Sequence, residues 1–200
     1  MRITAAEKQA TRGRIVDSAR ELFRTRGFDA TTTRDIARAA GIAAGTLFNY
    51  FDSKEAVVVT LAAEGLARAR AEFTDRDAGG SLEEDLFALI SAELRQIKPL
   101  RKFIAPVLET ALSPLACADR AGNHEALRVD HLELVAEIAR RHDLAEIPPM
   151  ALEAYWALYT GVLAFWASDK SSKQEDTLAL LDQSINMFAG WLNSAAGTPR

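Results

Sequence analysis

The chain has 200 residues, of which 48% are hydrophobic and one is cysteine, and it carries a net charge of -4. That length holds one large domain or a small domain joined to a larger one, with enough interior to fold without metal or disulfide staples. The lone Cys117 cannot close an internal bridge and has no Cys or His at ligand spacing, which excludes a disulfide scaffold or zinc module and leaves it as a small apolar filler in a reducing cytoplasm.

From the N-terminus, charges spread through MRITAAEKQATRGRIVDSA give no apolar region of the kind a signal peptide needs. Ile15, Ala19, Leu22 and Phe23 recur at helical spacing with Arg12, Arg20 and Arg24 off that stripe, so a first helix is expected from Thr11 to Arg26, stopped by Gly27. Thr32 followed three residues on by Asp35 is close to a capping box, Ile36, Ala37 and Ala40 supply an apolar stripe, and Gly41 closes a second helix of about two turns. A third short helix is expected from Ala44 to Phe51, and Ser53 then caps a long helix through KEAVVVTLAAEGLARARAEFTDR.

After a break at AGGS, a helix capped by Ser81 carries Leu82, Leu86, Leu89, Ile90 and Leu94. Pro99, Pro106 and Pro114 then punctuate short or kinked segments. Further helices are expected from Asn123 to His142, from Met150 to Ser168 after the Pro148-Pro149 pair, and from Lys173 to Ser194. The segment MALEAYWALYTGVLAFWAS is nearly as long as a membrane span, but its acid at Glu153 and the amphipathic flank that follows favour a helix buried by partner helices, so no membrane is expected. Strand alternation and internal repeats are both missing. The fold class is therefore all-α: a three-helix head over residues 1–55 and a larger helical body over 56–200.

Two short helices joined by a tight glycine turn make a helix-turn-helix, whose second helix enters the major groove while the first braces it. In the helix from Ala44, Leu47 and Phe51 face the core of the head, which leaves Ala44, Gly45, Thr46, Asn49 and Tyr50 on other faces. Small residues let the backbone approach base edges, alanine methyls can touch thymine methyls, Asn49 can pair with adenine, and Thr46 or Tyr50 can hold a phosphate. Ten basic against seven acidic side chains give the first 55 residues +3 and the remainder -7, a modest polarity that suits a polyanion at one end. Arg2, Lys8 and Arg12 form either an arm near the minor groove or a solvated tail.

The run RIVDSARELFRTRGFDATTTRDIARAAGIAAGTLFNYFDSKEAVV, Arg14 to Val58, resembles the DNA-binding domain of the TetR (tetracycline-repressor) family of bacterial transcriptional regulators. The resemblance implies DNA contacts from Thr33 and Arg34, from Ala43, Ala44, Gly45, Thr46, Asn49 and Tyr50, and from Lys54. Two positions depart from the commoner pattern. Ala43 stands where Ser or Thr often caps the third helix, and Phe48 stands where a Tyr often gives its hydroxyl to phosphate; Phe48 is accordingly expected to pack in the core with Leu47 and Phe51.

Catalytic signatures are missing: there is no GxSxG, HExxH, P-loop or GxGxxG, so no enzyme, cofactor or metal site is expected. His124, Arg128 and His131 share one helix face, where a solvated face or pocket polar group is favoured over a metal or anion site. The resemblance implies a homodimeric, cytoplasmic regulator, most simply a repressor of a palindromic double-stranded DNA operator. Its last two helices would pair with their copies through Leu178, Leu181, Ile185, Phe188 and Leu192, with Gly161 and the alanines permitting close approach. A small, mostly apolar effector would bind a pocket walled by the proline-broken segment from Leu100 to Leu115, with Phe103, Trp156 and Tyr159 as lining candidates. The alternative is a helical small-molecule-binding or enzymatic protein whose head does not bind operator DNA.

Overall fold

The computed structural model describes residues 4–74, 80–104, 108, 123–144 and 147–196. Cys117 and most of the proline-punctuated segment lie outside these, as do Arg2 and the side chain of His124. Among the described residues every regular element is helical: α1 (Ala5–Arg26), α2 (Thr33–Ala39), α3 (Ala44–Leu47), α4 (Lys54–Thr74), α5 (Leu82–Ile97), α6 (Asn123–Arg141), α7 (Pro149–Ser168) and α8 (Glu175–Ala196). A 3-10 turn, Lys98–Leu100, follows α5, and another, Ser172–Gln174, precedes α8. The chain divides into two compact units, 1–64 and 65–200. The division falls inside α4, further along that helix than the expected break at residue 55.

In the head, α1 begins six residues before the expected Thr11, at Ala5. The cause is a capping box that precedes the apolar stripe: the Glu7 amide donates to Thr4 Oγ1 at 3.2 Å and the Thr4 amide to Glu7 Oε2 at 2.8 Å. Thr32 and Asp35 form the same device at α2, with the Asp35 amide donating to Thr32 Oγ1 at 3.2 Å and the Thr32 amide to Asp35 Oδ2 at 3.1 Å. These bonds from Thr32 hold the Asp35 carboxyl below the usual range, so it stays ionised at the helix N-terminus.

Gly41, at φ 69°, ends α2. Its amide donates to Arg38 O at 3.2 Å and the Ile42 amide to Ala37 O at 3.0 Å, a Schellman closure that fixes the turn into α3. Ile15, Val16 and Ala19 of α1, Ile36 and Ala37 of α2, Leu47, and Val57 and Val58 of α4 are buried and form the head's interior.

The body packs α7 on α8, and α5 on both α6 and α8. Leu86, Leu89 and Ile90 of α5, Val135 and Ile138 of α6, Val162 and Trp166 of α7, and Leu181 and Phe188 of α8 build its core. The joint between α7 and α8 is polar and tightly tied. Asp169 accepts from the Ser171 amide at 2.7 Å and from the Thr177 amide at 3.1 Å, while Arg101 Nε donates to Trp166 O at 2.7 Å and its Nη2 to Asp169 O. No helix among the described residues is long and apolar enough to cross a membrane.

On α8 most of the residues expected at the seam are buried within the chain itself. Leu181, Ile185, Phe188 and Leu192 are 1%, 3%, 1% and 4% exposed within the single chain, so they have no area left to offer a second copy. Of the expected residues only Leu178 is exposed. The apolar surface that remains on α7 and α8 consists of Phe165, Leu178, Leu180, Met187 and Trp191, beside exposed Ala157, Gly161 and Ala164.

Candidate functional site

The helix-turn-helix is built by α2, the Gly41 turn and α3. Helix α3 spans four residues and not the eight expected to Phe51, because its end tightens: the Asn49 amide donates to Thr46 O at 3.1 Å and the Tyr50 amide to Leu47 O at 2.9 Å. Ala43 occupies the N-cap and makes no side-chain cap bond, as its methyl dictates. Leu47 and Phe51 point inward, at 0% and 5% exposure.

The outer surface carries most of the residues singled out from the sequence. Arg34, Ala43, Ala44, Gly45 and Asn49 are exposed, while Thr33, Thr46 and Tyr50 are half-buried. A Cβ added at Gly45 would meet nothing within 4 Å, so the backbone there is bare. Arg34 has no hydrogen bond or ion pair among the described residues, whereas Arg38 lies 3.7 Å from Asp35.

Two side chains differ from expectation. Phe48 is 53% exposed and does not join the core. Leu47 and Phe51, four apart, already fill the inward face, and Phe48 follows Leu47 by about 100° around the axis, which carries its ring to solvent. Lys54 is engaged inside the head: its Nζ donates to Phe28 O at 2.9 Å and Thr31 O at 3.3 Å and lies 4.0 Å from the centroid of the Phe28 ring. It clasps the start of α4 to the connection between α1 and α2. Arg12 has a similar structural place, donating from Nη2 to Thr60 Oγ1 at 3.1 Å over the Phe51 ring.

The body holds a second polar constellation, in its core. Glu93 is 0% and His131 1% exposed. Glu93 Oε1 lies 3.1 Å from His131 Nδ1, Glu93 Oε2 accepts from the Tyr159 hydroxyl at 3.0 Å, and His131 Nε2 lies 3.0 Å from the Tyr155 hydroxyl. Burial, and secondarily the Glu93 charge, raise both tyrosine pKa values well above the ordinary value, so both remain protonated donors. Tyr159 thus donates to Glu93 Oε2, and the Tyr155 hydroxyl faces His131 Nε2.

Arg70 supplies the counter-charge, with Nε 4.0 Å from Glu93 Oε1 and Nη1 3.5 Å from Asp130 Oδ2. His131 stacks on Tyr159 at 4.2 Å between centroids, and Trp156 lies 5.4 Å from Tyr159. Of the expected pocket residues, Trp156 and Tyr159 are thus brought together in this cluster, and Phe103 is half-buried on the helical stretch 101–104. His131 is a buried network member and not part of a solvated face. Arg128 pairs with Glu153. No group of side chains among the described residues has metal-binding geometry. A buried acidic side chain gains little stability over an apolar one of similar volume even when fully partnered, which marks the cluster as a place where packing alone did not choose the residues.

Residues 15–61 match the family model described as bacterial regulatory proteins, tetR family, and residues 86–196 match that of the tetracyclin repressor-like C-terminal domain. Over 51 residues the chain is 53% identical to the HTH-type transcriptional repressor KstR2 of Rhodococcus jostii, which is 26% of this chain and 25% of that protein. Over 69 residues it is 38% identical to the HTH-type transcriptional regulator UidR of Escherichia coli, covering 34% and 35%. The chain thus spans about a quarter to a third of the lengths of these curated relatives.

Among solved structures, Thermus thermophilus FadR, a TetR-family transcriptional repressor in complex with lauroyl-CoA, superposes with a TM-score of 0.72 at 29% identity, over 89% of this chain and 93% of that one. A TetR transcriptional regulator from Rhodococcus sp. RHA1 shares the fold, with a TM-score of 0.70 at 18% identity over 91% and 97% of the two chains.

Proposed function

The chain belongs to the tetR family of bacterial regulatory proteins, and from that premise we infer that it is a ligand-responsive transcriptional repressor that binds a palindromic DNA operator as a homodimer. The observation that carries the reading is the outer surface of the helix-turn-helix, where Arg34, Ala43, Ala44, Gly45 and Asn49 stand exposed on a head whose inward positions are filled. Arg34 meets the phosphate backbone, and the small leading residues of α3 let Asn49 reach a base edge. The exposed ring of Phe48 extends that surface, suited to a thymine methyl or a sugar face.

Dimerisation supplies the second head. Exposed Phe165, Met187 and Trp191 together with the small residues of α7 fit a self-complementary seam, in which Gly161, with nothing within 4 Å of its Cβ position, admits a partner helix closely. The effector is a small, mostly apolar molecule bound in the body, a reading supported by the lauroyl-CoA complex of the Thermus thermophilus repressor. To lower operator affinity a hundredfold it must favour the non-binding state by about 2.7 kcal/mol.

Footprinting on the DNA flanking the protein's own gene tests the reading. The expected result is a pair of protected half-sites about 34–36 Å apart, with Asn49→Ala weakening binding by about 1–3 kcal/mol and relaxing preference at one position of each half-site. Binding to these sites no tighter than to random DNA would sink it.

A further inference from the structure

Around α3 the side chains fall on four lines, and the chemistry of each line differs. The turn begun in α3 runs on to Phe51 through bonds from the Asn49 amide to Thr46 O, the Tyr50 amide to Leu47 O and the Phe51 amide to Leu47 O, so residues four apart share a line. Leu47 and Phe51 make the inward line, at 0% and 5% exposure. Gly45 and Asn49, both exposed, stand opposite. Of the two flanks between, one carries the hydroxyls of Thr46 and Tyr50, and the other carries only Ala44 and Phe48.

Phe48 is 53% exposed, and among the described residues of the head it is the one large apolar side chain left so. The inward line has no place for it, and the flank it shares with Ala44 has no hydrogen-bonding side chain. We propose that Phe48, backed by Ala44, is a specificity residue that reads a pyrimidine 5-methyl group, thymine in unmodified DNA, at one position of each half-site. The inference rests on the operator-binding reading given above and assigns to that site a base contact made without a hydrogen bond.

Placement and chemistry together select the methyl. With Gly45 and Asn49 directed at base edges, the flanks of α3 face the walls of the major groove. The C5 atom of a pyrimidine lies on the side of the base nearest its own backbone, so a thymine methyl projects along such a wall. It is the only alkyl group that the base pairs present in that groove, and an apolar side chain is what distinguishes it. A phosphate on the same wall would find no donor on Ala44 or Phe48, whereas the hydroxyl flank opposite can meet one. A Cβ added at Gly45 would meet nothing within 4 Å, so the Phe48 ring is not folded back over the bare backbone and stays available to the wall.

Fluorescence anisotropy with the operator duplex found by footprinting tests this, with uracil replacing thymine one position at a time. The exchange removes the methyl and keeps the base pair. In the unaltered protein one such position in each half-site should weaken binding about fourfold, the effect of one buried methyl group, and changing both half-sites should weaken it about fifteenfold. Phe48→Ala should bind the thymine and uracil duplexes alike at that position, because the group that senses the methyl is gone. A C·G pair placed there should bind the unaltered protein more tightly with 5-methylcytosine than with cytosine, and Phe48→Ala should abolish that difference too.

Three results overturn the proposal: tolerance of uracil at every position, uracil effects that all persist in Phe48→Ala, or an equal loss by Phe48→Ala on operator and random DNA. The last would make the ring a sugar contact. A protein that prefers its operator to random DNA but ignores the methyl defeats this inference alone, whereas no preference for the operator defeats the regulatory reading.

Discussion

Replacing Lys54 by Met separates two roles that this side chain could have. Its ammonium donates to Phe28 O at 2.9 Å and Thr31 O at 3.3 Å and lies over the Phe28 ring at 4.0 Å. A hydrogen bond from a charged donor contributes about 1.5–3 kcal/mol, and a cation over a partly exposed ring adds about 0.5–1 kcal/mol. Met keeps the apolar stem but leaves both part-buried carbonyls without this donor, so with the longer bond discounted the loss is about 2–3 kcal/mol.

For a chain of this length each kcal/mol moves the melting temperature by about 2–4 °C, which places the expected drop at about 5–10 °C. The companion assay is DNA binding as a function of salt. A clasp acts through the shape of the head, so affinity falls while the slope of log K against log salt stays as it was. A phosphate contact would leave melting unchanged and make that slope shallower by about 0.9. An unaltered melting temperature together with the shallower slope would refute the clasp.

Three further outcomes follow from the packing. Phe48→Ala should change stability by less than about 0.5 kcal/mol, where a core phenylalanine would cost about 3–5 kcal/mol, and should weaken operator binding; a large fall in melting temperature would return the ring to the core. Met187→Glu combined with Trp191→Glu should give folded monomers by light scattering and circular dichroism, whereas Ile185→Glu, at a site 3% exposed, should unfold the body; a folded, monomeric Ile185→Glu would move the seam back to the buried stripe. Asp169 is held well below the usual carboxylate range, chiefly by the Thr177 hydroxyl and also by the Ser171 and Thr177 amides. Its folded pKa lies below its unfolded one, so it stabilises the body above about pH 4 and that contribution is lost as pH falls further. Melting temperature against pH should therefore show an acid limb that Asp169→Asn flattens.

The head is legible because its signals are local. A threonine and an acid three residues apart cap α2, a glycine with positive φ closes it, and Ser53 Oγ accepts the Ala56 amide at 3.2 Å to start α4, all within a few residues of one another. The same kind of signal at Thr4 and Glu7 lies ahead of the apolar stripe, so a start placed by periodicity falls short of it. Phe48 shows a different limit. Hydrophobicity alone sends an aromatic inward, but a helix this short has one inward face, and Leu47 with Phe51 exhausts it.

The body is less legible because α8 is apolar on more than one side. Leu181, Ile185, Phe188 and Leu192 form one stripe, while Leu178, Leu180, Met187 and Trp191 leave a second apolar surface, and the spacing does not say which of the two meets the chain's own α5 and α7. That choice is made by tertiary packing. Glu93 stands between these cases. It shares the helical stripe of Leu86, Leu89, Ile90 and Ile97, and a carboxylate in that register is an anomaly visible in the sequence. A buried carboxylate requires donors, so the stripe alone implies that several polar groups converge on it from elsewhere. Which groups they are is not written locally: His131 and Tyr159 lie 38 and 66 residues away. Each can be singled out by itself, Tyr159 as a pocket candidate and His131 as a polar group on a helix face, but only the packing of α5, α6 and α7 brings them, with Arg70 of α4, around one acid.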